Sequence, residues 1–89
     1  MENDLEIQVT EFFTLKGHRI ERVIKHENSV FDLIITSNKG EKWIARCQMA
    51  NVDEPTLRDF YKALQIEKPK QATVITKGVV TPRAKELMK

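Results

Sequence analysis

A chain of 89 residues is long enough for one hydrophobic core and too short for two, so residues 1–89 read as one domain. Apolar residues at 40% and charged residues at 31% exclude a disordered chain, and one cysteine excludes an internal disulfide. No run approaches the roughly 20 apolar residues of a membrane span, and a net charge of +2 does not by itself mark a polyanion binder.

The start, Met1-Glu2-Asn3-Asp4, is acidic and lacks the basic opening of a signal peptide, so a soluble, cytoplasmic protein is expected. Asn3 followed by Glu6 is a helix-start pair, and Leu5, Val9, Phe12 and Phe13 then form an apolar stripe at helical spacing. Gly17 is placed to end this helix as a left-handed cap. His18 to Lys25 reads as a first strand, with Ile20 and Ile24 on one side and Val23 on the other. His26-Glu27-Asn28-Ser29 is a polar turn, and both histidines read as surface or turn residues because neither has a nucleophile or metal-ligand spacing beside it.

Val30 to Thr36 and Lys42 to Ala50 are two strand-like runs around Asn38-Lys39-Gly40, which predicts a hairpin. A three-residue loop makes Ser37 face Glu41 and therefore sets Asp32 opposite Arg46. One face then carries Phe31, Leu33 and Ile35 against Trp43, Ala45, Cys47 and Met49, a core face. The other carries Val30, Asp32, Ile34 and Thr36 against Lys42, Ile44, Arg46, Gln48 and Ala50, with polar groups set among aliphatics.

Asp53 and Pro55 open a second helix with Leu57, Phe60, Tyr61 and Leu64 on its apolar side and Arg58, Asp59, Lys62 and Gln65 on its polar side. Lys68-Pro69-Lys70 ends it, and Ala72 to Lys77 gives a last strand. Strand, helix and strand in succession form a crossover, so this strand is expected parallel to the third and beside it, with the helix covering Ile34 and Ile44. Thr81 and Pro82 open a closing helix, Pro82 to Lys89, held by Leu87 and Met88 rather than by its own propensity.

The ordered segments G-H-R-I-E-R-V, F-D-L-I-I-T, K-W-I-A-R-C-Q, L-R-D-F-Y-K-A-L and A-T-V-I-T-K-G-V-V-T-P-R-A-K-E-L resemble the Mrr-like restriction endonuclease domain of the PD-(D/E)XK nuclease superfamily, from about Leu5 to Lys89. The resemblance implies an α/β (α+β) fold: a restriction-endonuclease-like αβββαβα core, a mixed four-stranded sheet flanked by helices. It also places Asp32 at the family's metal-binding aspartate, Arg46 at its glutamate or glutamine, Gln48 at its catalytic lysine and Cys47 at the cysteine of Q-C-K. Glu6 falls where relatives can carry a further acidic ligand. Where relatives carry several glycines, the turn before Phe31 has none.

Two of the three motif positions therefore depart from the pattern. Magnesium wants oxygen ligands, and Arg46 brings a permanent positive charge that can pair with Asp32 across the ladder. Gln48 likewise lacks the charge a lysine would supply to phosphate. The favoured expectation is a nuclease-like domain without metal-dependent cleavage, with no cofactor, that acts as a nucleic-acid-binding or regulatory interaction module. Its expected phosphate contacts are Lys39, Lys42, Arg46, Arg58 and Lys62, since sequence-independent binding needs several bases on one surface, and the chain is the more basic from Arg46 onward.

Two alternatives stand beside it. One is an active Mg²⁺-dependent DNA endonuclease with a rearranged site, Asp32 holding metal with help from Glu6, Glu27 or Glu11. The other is a protein-interaction or homo-oligomerisation domain, as small domains gain stability by pairing. The aromatics Trp43, Phe60 and Tyr61 are expected in the core rather than stacked on bases.

Overall fold

The computed structural model describes residues 4–88. Asn3, expected to cap the first helix, lies outside them. Helix α1 (Asp4–Leu15) buries Leu5, Val9 and Phe13, one residue per turn along a single line. Phe12, expected with them, stands on the flank of that line and is 52% exposed. Gly17 ends the helix at φ +89°, a left-handed turn that glycine adopts without steric cost.

Strands β1 (Arg19–Lys25), β2 (Phe31–Thr36), β3 (Lys42–Gln48) and β4 (Gln71–Thr76) lie side by side in that order. The first three are antiparallel and β4 is parallel to β3, the mixed sheet that a crossover through helix α2 (Glu54–Glu67) produces. The hairpin register is the expected one. Ser37 donates its N–H to the Glu41 carbonyl at 2.8 Å, and Asp32 pairs with Arg46.

β2 is buried on both sides because the sheet carries a separate core on each face. Phe31, Leu33, Ile35, Ala45 and Cys47 pack under α1. Ile34 and Ile44 pack under α2 through Leu57 and Phe60, joined by Val52 and Ala84. Met49, expected on the α1 face, follows the last residue of β3 and is 51% exposed.

Asp53 caps α2, its carboxylate accepting from the Thr56 N–H at 3.1 Å and the Thr56 hydroxyl at 2.7 Å. Helix α3 (Pro82–Leu87) starts at the Thr81 cap and docks through Ala84 and Leu87, while Met88 is half exposed. The loops before α2 and after β4 are tied together: Val52 donates to the Val79 carbonyl and Thr81 to the Val52 carbonyl, both at 2.9 Å.

Candidate functional site

Asp32 is the second residue of β2 and Arg46 the fifth of β3, and the register faces them across the ladder on the α2 side. The contact is a two-bond fork: Arg46 Nε donates to Asp32 Oδ1 at 2.7 Å and Nη2 to Oδ2 at 2.8 Å. Each residue is 2% exposed. Nη1, the remaining guanidinium nitrogen, donates to Asp59 Oδ2 of α2 at 2.7 Å. The Phe60 ring lies 5.2 Å from the guanidinium carbon and closes it off with an apolar face.

Burial opposes the Arg46 charge, but the hydrogen bonds it donates to Asp32 and then to Asp59 more than offset this and raise its pKa. Asp59, largely in solvent, has its pKa lowered, mainly by the Arg46 hydrogen bond. The arrangement is one cation held between two carboxylates, one of them buried. A buried charge survives only when paired in this way.

His26 completes the cluster. Its Nε2 lies 3.0 Å from Asp32 Oδ2 and 3.2 Å from Arg46 Nη2, so the ring either donates to the carboxylate or accepts from the guanidinium. The turn that delivers it runs through Asn28 at φ +61° and Ser29 at φ +60°, left-handed conformations reached without glycine. Lys25, His26, Glu27, Arg46, Thr56 and Asp59 are among the residues lining a cleft of about 610 Å³ above the pair.

Gln48, two residues after Arg46 on the same face, points away from this chemistry. Its amide nitrogen donates to the carbonyls of Asn51 at 2.8 Å and Ala50 at 3.3 Å, which fixes the amide orientation. Its Oε1 is then the one buried side-chain oxygen or nitrogen without a partner among the described residues. Burial, and after it the Asp32 charge, push the neighbouring Cys47 thiol up to about 12, so it sits in the core as an un-ionised small hydrophobe.

The other expected site residues do not gather here. Glu6 stands on α1, 3.6 Å from Lys25. Lys42 binds Glu67 at 2.7 Å at the far end of β3, Arg58 pairs with Glu54 at 2.6 Å, Lys39 is at the hairpin tip and Lys62 is exposed on α2. Arg46, expected to touch phosphate, is instead buried with every guanidinium nitrogen engaged.

Two members of the cluster were not read as site residues from the sequence. His26 looked like a turn residue, and no spacing joins it to Asp32. Asp59 looked like a solvated helix position, although its place between Leu57 and Phe60 on α2 does set it at the edge of the buried stripe.

The geometry does not suit a hydrated magnesium ion. Such an ion needs carboxylate oxygens free to face it, and both oxygens of Asp32 are taken by the guanidinium. Among the described residues, no three His, Cys, Asp or Glu side chains converge as a metal cage. The unpartnered Gln48 oxygen is neutral and cannot replace the missing charge.

The family model Mrr_cat, described as a restriction endonuclease, matches residues 2–89. The chain belongs to this restriction endonuclease family. Neither curated proteins nor solved structures give a match. The mixed four-stranded sheet with its three helices agrees with a restriction-endonuclease-like core. Among the described residues, no helix is long and apolar enough to cross a membrane.

Proposed function

We propose that this member of the restriction endonuclease family does not cleave DNA through a metal and serves as a binding module. The observation that carries the reading is the Arg46 fork on Asp32. A guanidinium stays charged at any working pH and holds a carboxylate with two directed bonds. A divalent ion would have to displace this internal cation from a nearly dry place, and leave Arg46 buried beside it.

The position after Cys47 argues the same way. An amide turned onto the Ala50 and Asn51 carbonyls brings no charge to a phosphate and does not orient a water toward one. What remains is a rigid scaffold with exposed basic residues.

Incubating supercoiled plasmid with the protein and Mg²⁺ or Mn²⁺, beside the Asp32→Ala variant, tests this. Intact plasmid in both lanes is expected. Nicking by the wild type that disappears in Asp32→Ala would overturn the proposal.

A further inference from the structure

The two edges of the sheet are built differently. β1 carries Arg19, Glu21, Arg22 and Lys25, and its pairing with β2 shifts register between Ile20 and Arg22. Charges and irregular pairing are how natural proteins keep a free edge from joining another strand. β4, the opposite edge, reads Q-A-T-V-I-T, with no charge, no proline and an unbroken register against β3. Nothing in its sequence discourages a further strand.

The hydrogen bonding decides which groups of β4 are free. Ser37 bonds Glu41, so odd-numbered residues of β3 turn their backbone groups to β2 and even-numbered ones to β4. The carbonyls of Lys42 and Gln48 accordingly accept from Lys70 at 2.7 Å and Lys77 at 3.3 Å. A residue in a parallel ladder bonds the two neighbours of its partner, so Ile44, set against Ala72, engages Gln71 and Thr73. The N–H and C=O groups of Ala72, Val74 and Thr76 are left facing outward. Beside them, on the α1 face, a groove of about 590 Å³ runs between α1 and β4. Leu5, Val9, Phe12, Trp43 and Ile75 are among its lining residues, and Phe12 is 52% exposed.

We propose that two copies of this chain join through β4, antiparallel about a twofold axis at Val74, into one continuous sheet. The outward residues are symmetric about Val74, so Ala72 of each copy meets Thr76 of the other and Val74 meets itself. Each such pair exchanges two hydrogen bonds, and no outward group of the three residues is left over. A twofold interface requires a surface that complements itself. Here Thr73 faces Ile75 on the α1 side, a pair of β-branched side chains, and Gln71 faces Lys77, so no like charges are opposed. The two apolar grooves then meet over the joined strands, and β4 of each copy extends the floor of the other's groove. This edge lies beyond β3 from Asp32, and the copies join whether or not the domain cleaves DNA.

The test is sedimentation equilibrium of the wild-type chain over a concentration series, where a monomer–dimer equilibrium is expected. Ala72→Pro removes only an outward N–H, a change that an edge strand accommodates. It weakens dimerisation by about tenfold or more, through one bond lost at each end of the strand pair, and leaves the circular dichroism unchanged. Thr73→Lys, at an exposed position of β4, weakens it likewise and guards against a misfolded proline variant. Oxidative cross-linking reads the register, since the native Cys47 is buried and does not compete. Thr73→Cys mixed with Ile75→Cys gives a covalent dimer, because the two positions lie about 4.5 Å apart in a non-hydrogen-bonded pair. Thr73→Cys alone does not, as its two copies stand diagonally, about 7–8 Å apart.

A monomer at every concentration, or a dimer that both Ala72→Pro and Thr73→Lys leave intact, would overturn the proposal. So would cross-linking by Thr73→Cys alone that equals the mixture, or folded cysteine variants whose mixture stays uncrosslinked while the wild type dimerises.

Discussion

The Arg46 guanidinium lies 5.2 Å from the centre of the Phe60 ring, so the charge is roofed by an apolar face of α2 while its nitrogens face Asp32 and Asp59. A cation in that position depends wholly on its carboxylates. The pair is costly to break and cheap to replace as a unit.

Arg46→Met alone leaves the Asp32 carboxylate buried without its main partner, and the expected loss is about 3–5 kcal/mol of unfolding free energy. Arg46→Met with Asp32→Leu removes both charges and fills similar volume, so the double variant recovers most of that loss. Urea unfolding of the wild type, each single variant and the double variant measures the cycle. A double variant as unstable as Arg46→Met would show that the fork is not the source of the cost.

Acid should loosen the same contact from its exposed side. The Arg46 hydrogen bond lowers the Asp59 pKa below the ordinary 3.8, so the carboxylate is more acidic folded than unfolded. A depressed carboxylate contributes stability that is fully present above the unfolded pKa and is lost as pH falls through the folded one. The contribution of Asp59 therefore begins to fade below about pH 4 and is lost as pH falls further, through the lowered folded value. Asp59→Asn is expected to be less stable than wild type at neutral pH, with the gap closing in strong acid, as urea midpoints across a pH series would show.

Ser29 holds φ +60°, a conformation that costs a residue with a Cβ on the order of 1–2 kcal/mol. Ser29→Gly is expected to raise stability by up to about 1 kcal/mol, the larger chain entropy of unfolded glycine taking back part of the gain. Thermal unfolding checks the sign. A lower midpoint would mean that the turn draws more from the serine side chain than it loses to the backbone.

The hairpin register was legible because a short glycine-containing loop between alternating runs leaves one pairing, and Asp32 opposite Arg46 follows from it by counting. The parallel β4 and the covering helix were legible for a similar reason: a strand, a helix and a strand have few ways to connect. His26 and Asp59 were not, since a turn and a helix edge meet Arg46 only once both are folded onto the sheet. Local periodicity also overstated the α1 stripe, because it does not tell Phe13, turned inward, from Phe12 on the flank.

The guanidinium buried between β2 and α2 also works as a ratchet on what the domain can become. Arg46→Glu would crowd a third acid against Asp32 and Asp59 with no cation left among them. Gln48→Lys would add a second positive charge on the face that Arg46 already occupies. Each of these single changes begins downhill in stability, so the two positions exchange their charges only by changing together.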